Sequence, residues 1–104
     1  MKFGEIFICR FPFTSGLLSK PRPALVLFDL GSDVIICRIT STMRSDKMDI
    51  PVTDWPAAGL AKPSVIRLNR LVTAEKPLLL RRLGELSIID QASVQALWNS
   101  NMML

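Results

Sequence analysis

Two apolar runs, "ALVLFDL" at 24–30 and "VIICRIT" at 34–40, stand on either side of "GSD" at 31–33. Gly31 tolerates positive φ, and Asp33 is a common turn residue. Runs this short, this rich in Val, Ile and Leu and this closely joined read as two strands of an antiparallel hairpin. A chain that commits its middle to a hairpin is committed to a sheet, and the remaining segments supply further strands.

"EIFICRF", 5–11, is β-branched and aromatic and reads as a first strand. "PFTSGLLSKPRP", 12–23, carries the Pro, Gly and Ser of a loop. "MDIPV", 48–52, is a short strand that Pro51 confines to an edge. "DWPAAGLAKP", 54–63, is loop, and "SVIRLNRLVT", 64–73, alternates apolar and polar residues as a strand does. "LLLRRLG", 78–84, fits a last strand or a helical turn equally well. Ser87 followed by Asp90 is the start of a capping box and predicts a helix over about 88–99. Ile89, Ala92, Ala96 and Leu97 are expected to pack on the sheet. Val94, Trp98 and Met102 form a second stripe, either for another subunit or over the edge of the core. Repeats and linkers are absent, so residues 1–104 are read as a single domain. The class is mainly β with a C-terminal helix, a small and strongly bent antiparallel sheet or barrel.

Hydrophobic residues make up 49% of the 104, with a mean hydropathy of +0.32, which is greasy for so small a soluble chain. A homodimer interface would absorb the excess. The net charge of +4 is spread evenly along the chain and favours a polyanionic partner, most often a nucleic acid. Glu5 and Arg10 interrupt the N-terminal apolar stretch, so no signal peptide is read. No run approaches the ~20 apolar residues that span a bilayer. A cytoplasmic protein without membrane contact is expected. Cys9 and Cys37 lie in apolar runs and read as buried free thiols. With no histidine and no metal-ligand spacing, zinc is not expected, nor is any other cofactor.

Three segments could carry chemistry. In "SKPRPALV" an arginine stands between two prolines, which reduce its backbone freedom before folding. A pre-ordered Arg22 at the mouth of a strand suits two parallel hydrogen bonds to a phosphate. Lys20 could add a second charge; the alternative is an arginine paired with a carboxylate. In "CRITST", 37–42, Arg38 and Thr40 share a strand face, and Thr40 and Ser41 place hydroxyls at a sheet rim. Thr favours strands and Ser their ends, so that pattern is also ordinary. In "SVIRLNR", 64–70, Arg67 and Asn69 alternate onto one face and could clamp a phosphate or a base edge, or simply face solvent.

Taken together, "GEIFICRFPFTSGLLSKPRPALVL", "VIICRITST" and "GLAKPSVIRLNRLVTAEKPLLLRRLGELS" resemble the MazF/PemK family of toxin ribonucleases, from Gly4 to about Leu97. The resemblance implies a small SH3-like barrel with a C-terminal helix, forming a homodimer. It implies metal-free cleavage of single-stranded RNA at short sequences, by attack of the ribose 2′-hydroxyl on the adjacent phosphorus. A cognate antitoxin would cover the RNA groove. Carried over residue by residue, Arg22 matches the family's arginine at the second strand, and Thr40, with Ser41 beside it, the threonine closing the third. These two become the expected catalytic residues; Lys20, Ser41, Arg67 and Asn69 become the expected substrate contacts.

The chain departs from the family in two places. Some members carry an aspartate where Asn69 stands, and some a histidine in the first loop. Arginine is a poor general base at neutral pH, so catalysis is expected mainly from positioning and charge, with Glu75 as a possible substitute base. Two other readings remain: a CcdB-like toxin that poisons DNA gyrase by protein binding, with Trp98 and Met102 as anchors, or a member that binds RNA without cutting it.

Overall fold

The structure, a computed structural model, describes residues 1–10 and 20–104. Six strands and one helix form: β1 (Glu5–Arg10), β2 (Pro21–Asp29), β3 (Asp33–Thr40), β4 (Asp49–Pro51), β5 (Val65–Glu75), β6 (Leu79–Glu85) and α1 (Ile88–Asn101). They make one sheet in the order β4-β5-β3-β2-β1-β6, each neighbouring pair antiparallel.

The central hairpin forms where the sequence places it, with Ala24 opposite Arg38 and Asp29 opposite Val34. Gly31 takes φ 100°, and its N–H donates to Asp29 Oδ1 at 2.8 Å. β2 begins at Pro21 rather than at 24, so Arg22 lies within a strand and not in the loop. The two prolines favour that extended backbone, and the start of a strand tolerates their missing N–H groups. The rest of the expected 12–23 loop up to 19, and Phe11 of the expected first strand, lie outside the described residues. The 78–84 ambiguity resolves into both alternatives: a 3-10 turn at Lys76–Leu78 leads directly into β6.

The bend comes from irregular pairing. Register shifts interrupt β1–β6, β2–β3 and β3–β5, and each adds local twist. The sheet does not close, since β4 and β6 remain its two edges, so the expected barrel is one only in a loose sense. Both faces are nevertheless covered. Leu25, Cys37, Ile39, Ile66 and Leu68 pack with Leu86 and Val94 on one side; Cys9, Ala24, Val26, Val34, Ile36, Ala74 and Leu79 pack on the other. Burial on both faces explains why β2 and β3 read as nearly unbroken apolar runs. Both cysteines are free and buried, and burial pushes the Cys9 thiol up to about 11 and the Cys37 thiol higher still.

The helix sits differently from its expected orientation. Ile89, Ala92 and Ala96 face outward, with Ile89 73% exposed, and of the predicted face only Leu97 touches the core. The second stripe is the packing one: Val94 is fully buried and Trp98 lies on the core, its ring edge-on to Phe28 at 5.5 Å. Asp90 decides this rotation. It is buried and accepts from Thr53 N–H at 3.0 Å, Thr53 Oγ1 at 2.9 Å and Asp54 N–H at 3.4 Å. Val94 and Trp98 follow Asp90 at four-residue steps on the same face. Ser87 caps the helix as expected, accepting from Asp90 N–H at 3.1 Å.

The segment between β4 and β5 lies against β6. A Cβ on Gly59 would collide with the Leu83 carbonyl, and one on Gly84 with the Ala58 carbonyl, so two backbones meet where only glycines allow it. Among the described residues no helix is long and apolar enough to cross a membrane.

Candidate functional site

Arg22 enters β2 opposite Cys9 of β1, while Thr40 ends β3 opposite Val65 of β5. The bend of the sheet and the inward-leaning 58–64 segment bring these points together. Arg22, Pro23, Ile39, Thr40, Ser41, Leu60, Ala61, Lys62 and Ser64 line one cleft of about 210 Å³. A larger hollow of about 670 Å³ between β2 and α1, lined by Phe3, Leu27, Phe28, Val94, Gln95, Trp98 and Asn99, holds no charged group and lies away from this chemistry.

Within the cleft the polar groups are oriented. Thr40 Oγ1 accepts from Thr42 N–H at 3.1 Å, which leaves the hydroxyl proton free to donate outward. Ser64 is buried and donates Oγ to the Lys62 carbonyl at 2.8 Å, fixing the bend that presents Lys62. Arg22 is exposed and, among the described residues, makes no ion pair. The carboxylate partner that would have made it structural is thus not at hand. Lys62 and Ser64 escaped the sequence reading. Their signal was "KPS", a cation and a hydroxyl around a proline, which shares its Lys-Pro pair with "KPRP" at 20–23.

The other expected contacts divide. Ser41 lines the cleft; Lys20 is exposed just before β2 but is not part of the lining. Arg67 and Asn69 do not stand side by side on an open face. Arg67 is only 6% exposed, donating Nε to Asp49 Oδ1 at 3.2 Å and a terminal nitrogen to Asp46 Oδ2 at 3.1 Å. Just beyond it the β3–β5 register jumps from Arg38–Arg67 to Cys37–Leu71, and the extra residues expose Asn69 and Arg70. Alternation fails here because a bulge re-aims the side chains. Glu75, the substitute base, lies at the other end of the sheet. It pairs with Asp33, ten residues along β5 from Val65, which is roughly 30 Å at strand rise.

One further residue went unsingled as a site candidate. Arg38 sits between Ala24 and Arg67 on the ladder, and its Nε is buried with no hydrogen-bond partner among the described residues. An unsatisfied buried donor costs about 1–3 kcal/mol. Burial first, then the nearby Arg22, Arg67, Arg70 and Arg44, hold its pKa below the ordinary arginine value. Against these five guanidinium groups stand Asp46, paired with Arg44 and Arg67, and Asp49, paired with Arg67. Local positive charge is left over, beside the cleft. Among the described residues no three His, Cys, Asp or Glu side chains group to hold a metal ion.

The model of a family described as PemK-like, MazF-like toxin of type II toxin–antitoxin system matches residues 2–99. Among solved structures, the Mycobacterium tuberculosis toxin MazF-mt6 is 25% identical with a TM-score of 0.76, over 96% of this chain and 98% of that one. A mycobacterial endoribonuclease in complex with its cognate antitoxin gives a TM-score of 0.78 at 16% identity, over 98% and 94% of the two chains. MazF from Deinococcus radiodurans gives 0.76 at 18%, over 98% and 96%. No curated protein sequence matches the chain.

Proposed function

The chain belongs to the PemK-like, MazF-like family of toxins of type II toxin–antitoxin systems, and we propose that it is a metal-independent endoribonuclease acting on single-stranded mRNA with Arg22 and Thr40 at the scissile phosphate. Toxins of this family are endoribonucleases. The observation that carries the assignment of residues is the cleft in which Arg22 and Thr40, from different strands, converge with Ser41, Lys62 and Ser64.

The chemistry follows from what these groups can do. The ribose 2′-hydroxyl passes its proton to water as its oxygen bonds to phosphorus. The bond from phosphorus to the 5′-oxygen breaks, and that oxygen takes up a proton, leaving a 2′,3′-cyclic phosphate and a 5′-hydroxyl. Arg22 meets the non-bridging oxygens as they gain charge, and the free Thr40 proton donates to one of them. Lys62 adds a second positive charge in the same cleft. Lys20, Ser41 and Asn69 hold neighbouring parts of the strand, whereas Arg67 is neutralised by Asp46 and Asp49 and lends no net charge. Among the described residues no imidazole or carboxylate lines the cleft, so rate acceleration rests on orientation and charge. A cognate antitoxin and a second copy of the chain are the expected partners. The gyrase-poison reading is weakened because Trp98 and Met102, its proposed anchors, are half-buried.

The test is incubation of the purified protein with a long single-stranded RNA in EDTA, beside Arg22→Ala protein and a DNA of the same sequence. Discrete fragments from the wild type alone, with DNA intact, support the assignment. Intact RNA with folded, antitoxin-free protein would point instead to a binding toxin or to a member that holds RNA without cutting it.

A further inference from the structure

We propose that Arg38 and Arg70 form a second phosphate subsite, which holds a backbone phosphate adjacent to the scissile one in bound single-stranded RNA. This rests on the ribonuclease reading of the neighbouring cleft. Arg38 and Thr40 are two residues apart on β3 and share a face, so their side chains stand one double strand rise apart, about 6.6 Å. That stride is comparable with one nucleotide of an extended strand, so a phosphate at Thr40 and Arg22 places a neighbouring phosphate over Arg38.

Arg38 has no carboxylate partner among the described residues. Its Nε is shielded from water and unpartnered among the described residues, and its guanidinium joins no ion pair there. The bulge in β5 exposes Arg70 in the same cluster, where a regular ladder would have continued the pairing. Arg67, by contrast, is already neutralised by Asp49 and Asp46. A half-buried cation crowded by other cations is tolerated when a ligand supplies the missing charge, and a phosphate diester matches the planar donor fork of arginine.

The probe is a 2′-O-methyl RNA oligonucleotide, which cannot be cut because the attacking hydroxyl is blocked. Its affinity is measured from low to high salt for the wild type, Arg38→Gln and Arg70→Gln. Each lost phosphate contact lowers the slope of log affinity against log salt by about 0.7 for a single strand. Either variant is expected to show that fall, with affinity reduced about tenfold at low salt. Without RNA, Arg38→Gln is expected to melt at or above the wild-type temperature, because it removes a charge the free protein does not satisfy. Wild-type binding with an unchanged slope in both variants would overturn the subsite and leave the ribonuclease reading standing. A lower melting temperature for Arg38→Gln would make Arg38 structural and also overturn it. A wild type that neither binds this oligonucleotide nor cuts RNA would overturn both readings.

Discussion

At the scale of single residues, restraint and partner explain which charges are available. Arg22 is held extended by its prolines and among the described residues pairs with no carboxylate, whereas Arg67, two strands away on β5, has two. Arg22→Ala and Thr40→Ala are therefore expected to lower RNA cleavage by about 10²–10³-fold each, the scale of losing one charge-stabilising donor. Both residues lie at the surface end of their strands, so melting temperatures should stay close to wild type, and fragment yield beside a melting curve checks both points. Asp29 answers to pH instead. Its hydrogen bonds from Lys76 and from Gly31 N–H hold its carboxyl well below the usual 3.8. Burial would raise Glu5, but the Arg82 hydrogen bond and Lys2 N–H outweigh it and leave it below the usual 4.5. A depressed carboxylate stabilises the fold above its unfolded pKa, and that stability drains away as pH falls through the folded value. The melting temperature is expected to fall below about pH 4.5, and Asp29→Asn should flatten part of that fall in melts between pH 3 and 7.

At the scale of elements, α1 is fixed by a polar anchor as much as by its apolar stripe. Asp90→Ala leaves Thr53 N–H, Thr53 Oγ1 and Asp54 N–H without their acceptor. The expected loss is about 3 kcal/mol, seen as a fall of more than about 10 °C in melting temperature. The contact of Gly59 with β6 does similar work for the cleft, because the chain that follows it carries Leu60, Ala61 and Lys62 into the lining. Gly84→Ala would drive a Cβ into the Ala58 carbonyl, a backbone atom that cannot swing aside. Both stability and RNA cleavage are expected to fall together in that variant.

At the scale of the whole molecule, the open sheet leaves apolar side chains such as Leu80, Ile88 and Ile89 uncovered, as the hydropathy anticipates. A homodimer that covers some of them is expected, and sedimentation should show twice the monomer mass with dissociation on dilution. Charge is just as unevenly distributed in space although it is even along the chain, because bending gathers Arg22, Arg38, Arg44, Arg67 and Arg70 around one end of the sheet. RNA affinity should accordingly fall steeply with salt.

The hairpin, the short edge strand and the Ser87 cap were all legible in the sequence, because each depends on neighbours a few positions away. What lay beyond it was set by contacts distant along the chain. Asp90 meets Thr53 across the fold and turns Val94 and Trp98 inward, against the face that spacing alone favoured. The β5 bulge separates Arg67 from Asn69, and Asp49 of β4 claims Arg67. Lys62 and Ser64 reach the cleft through a backbone contact between two glycine positions. The sequence by itself determined which strands and turns form, since local periodicity and turn chemistry act over a few residues. Only the tertiary structure decided which side chains are free to meet a phosphate, since burial and ion pairing depend on what the bend of the sheet brings together.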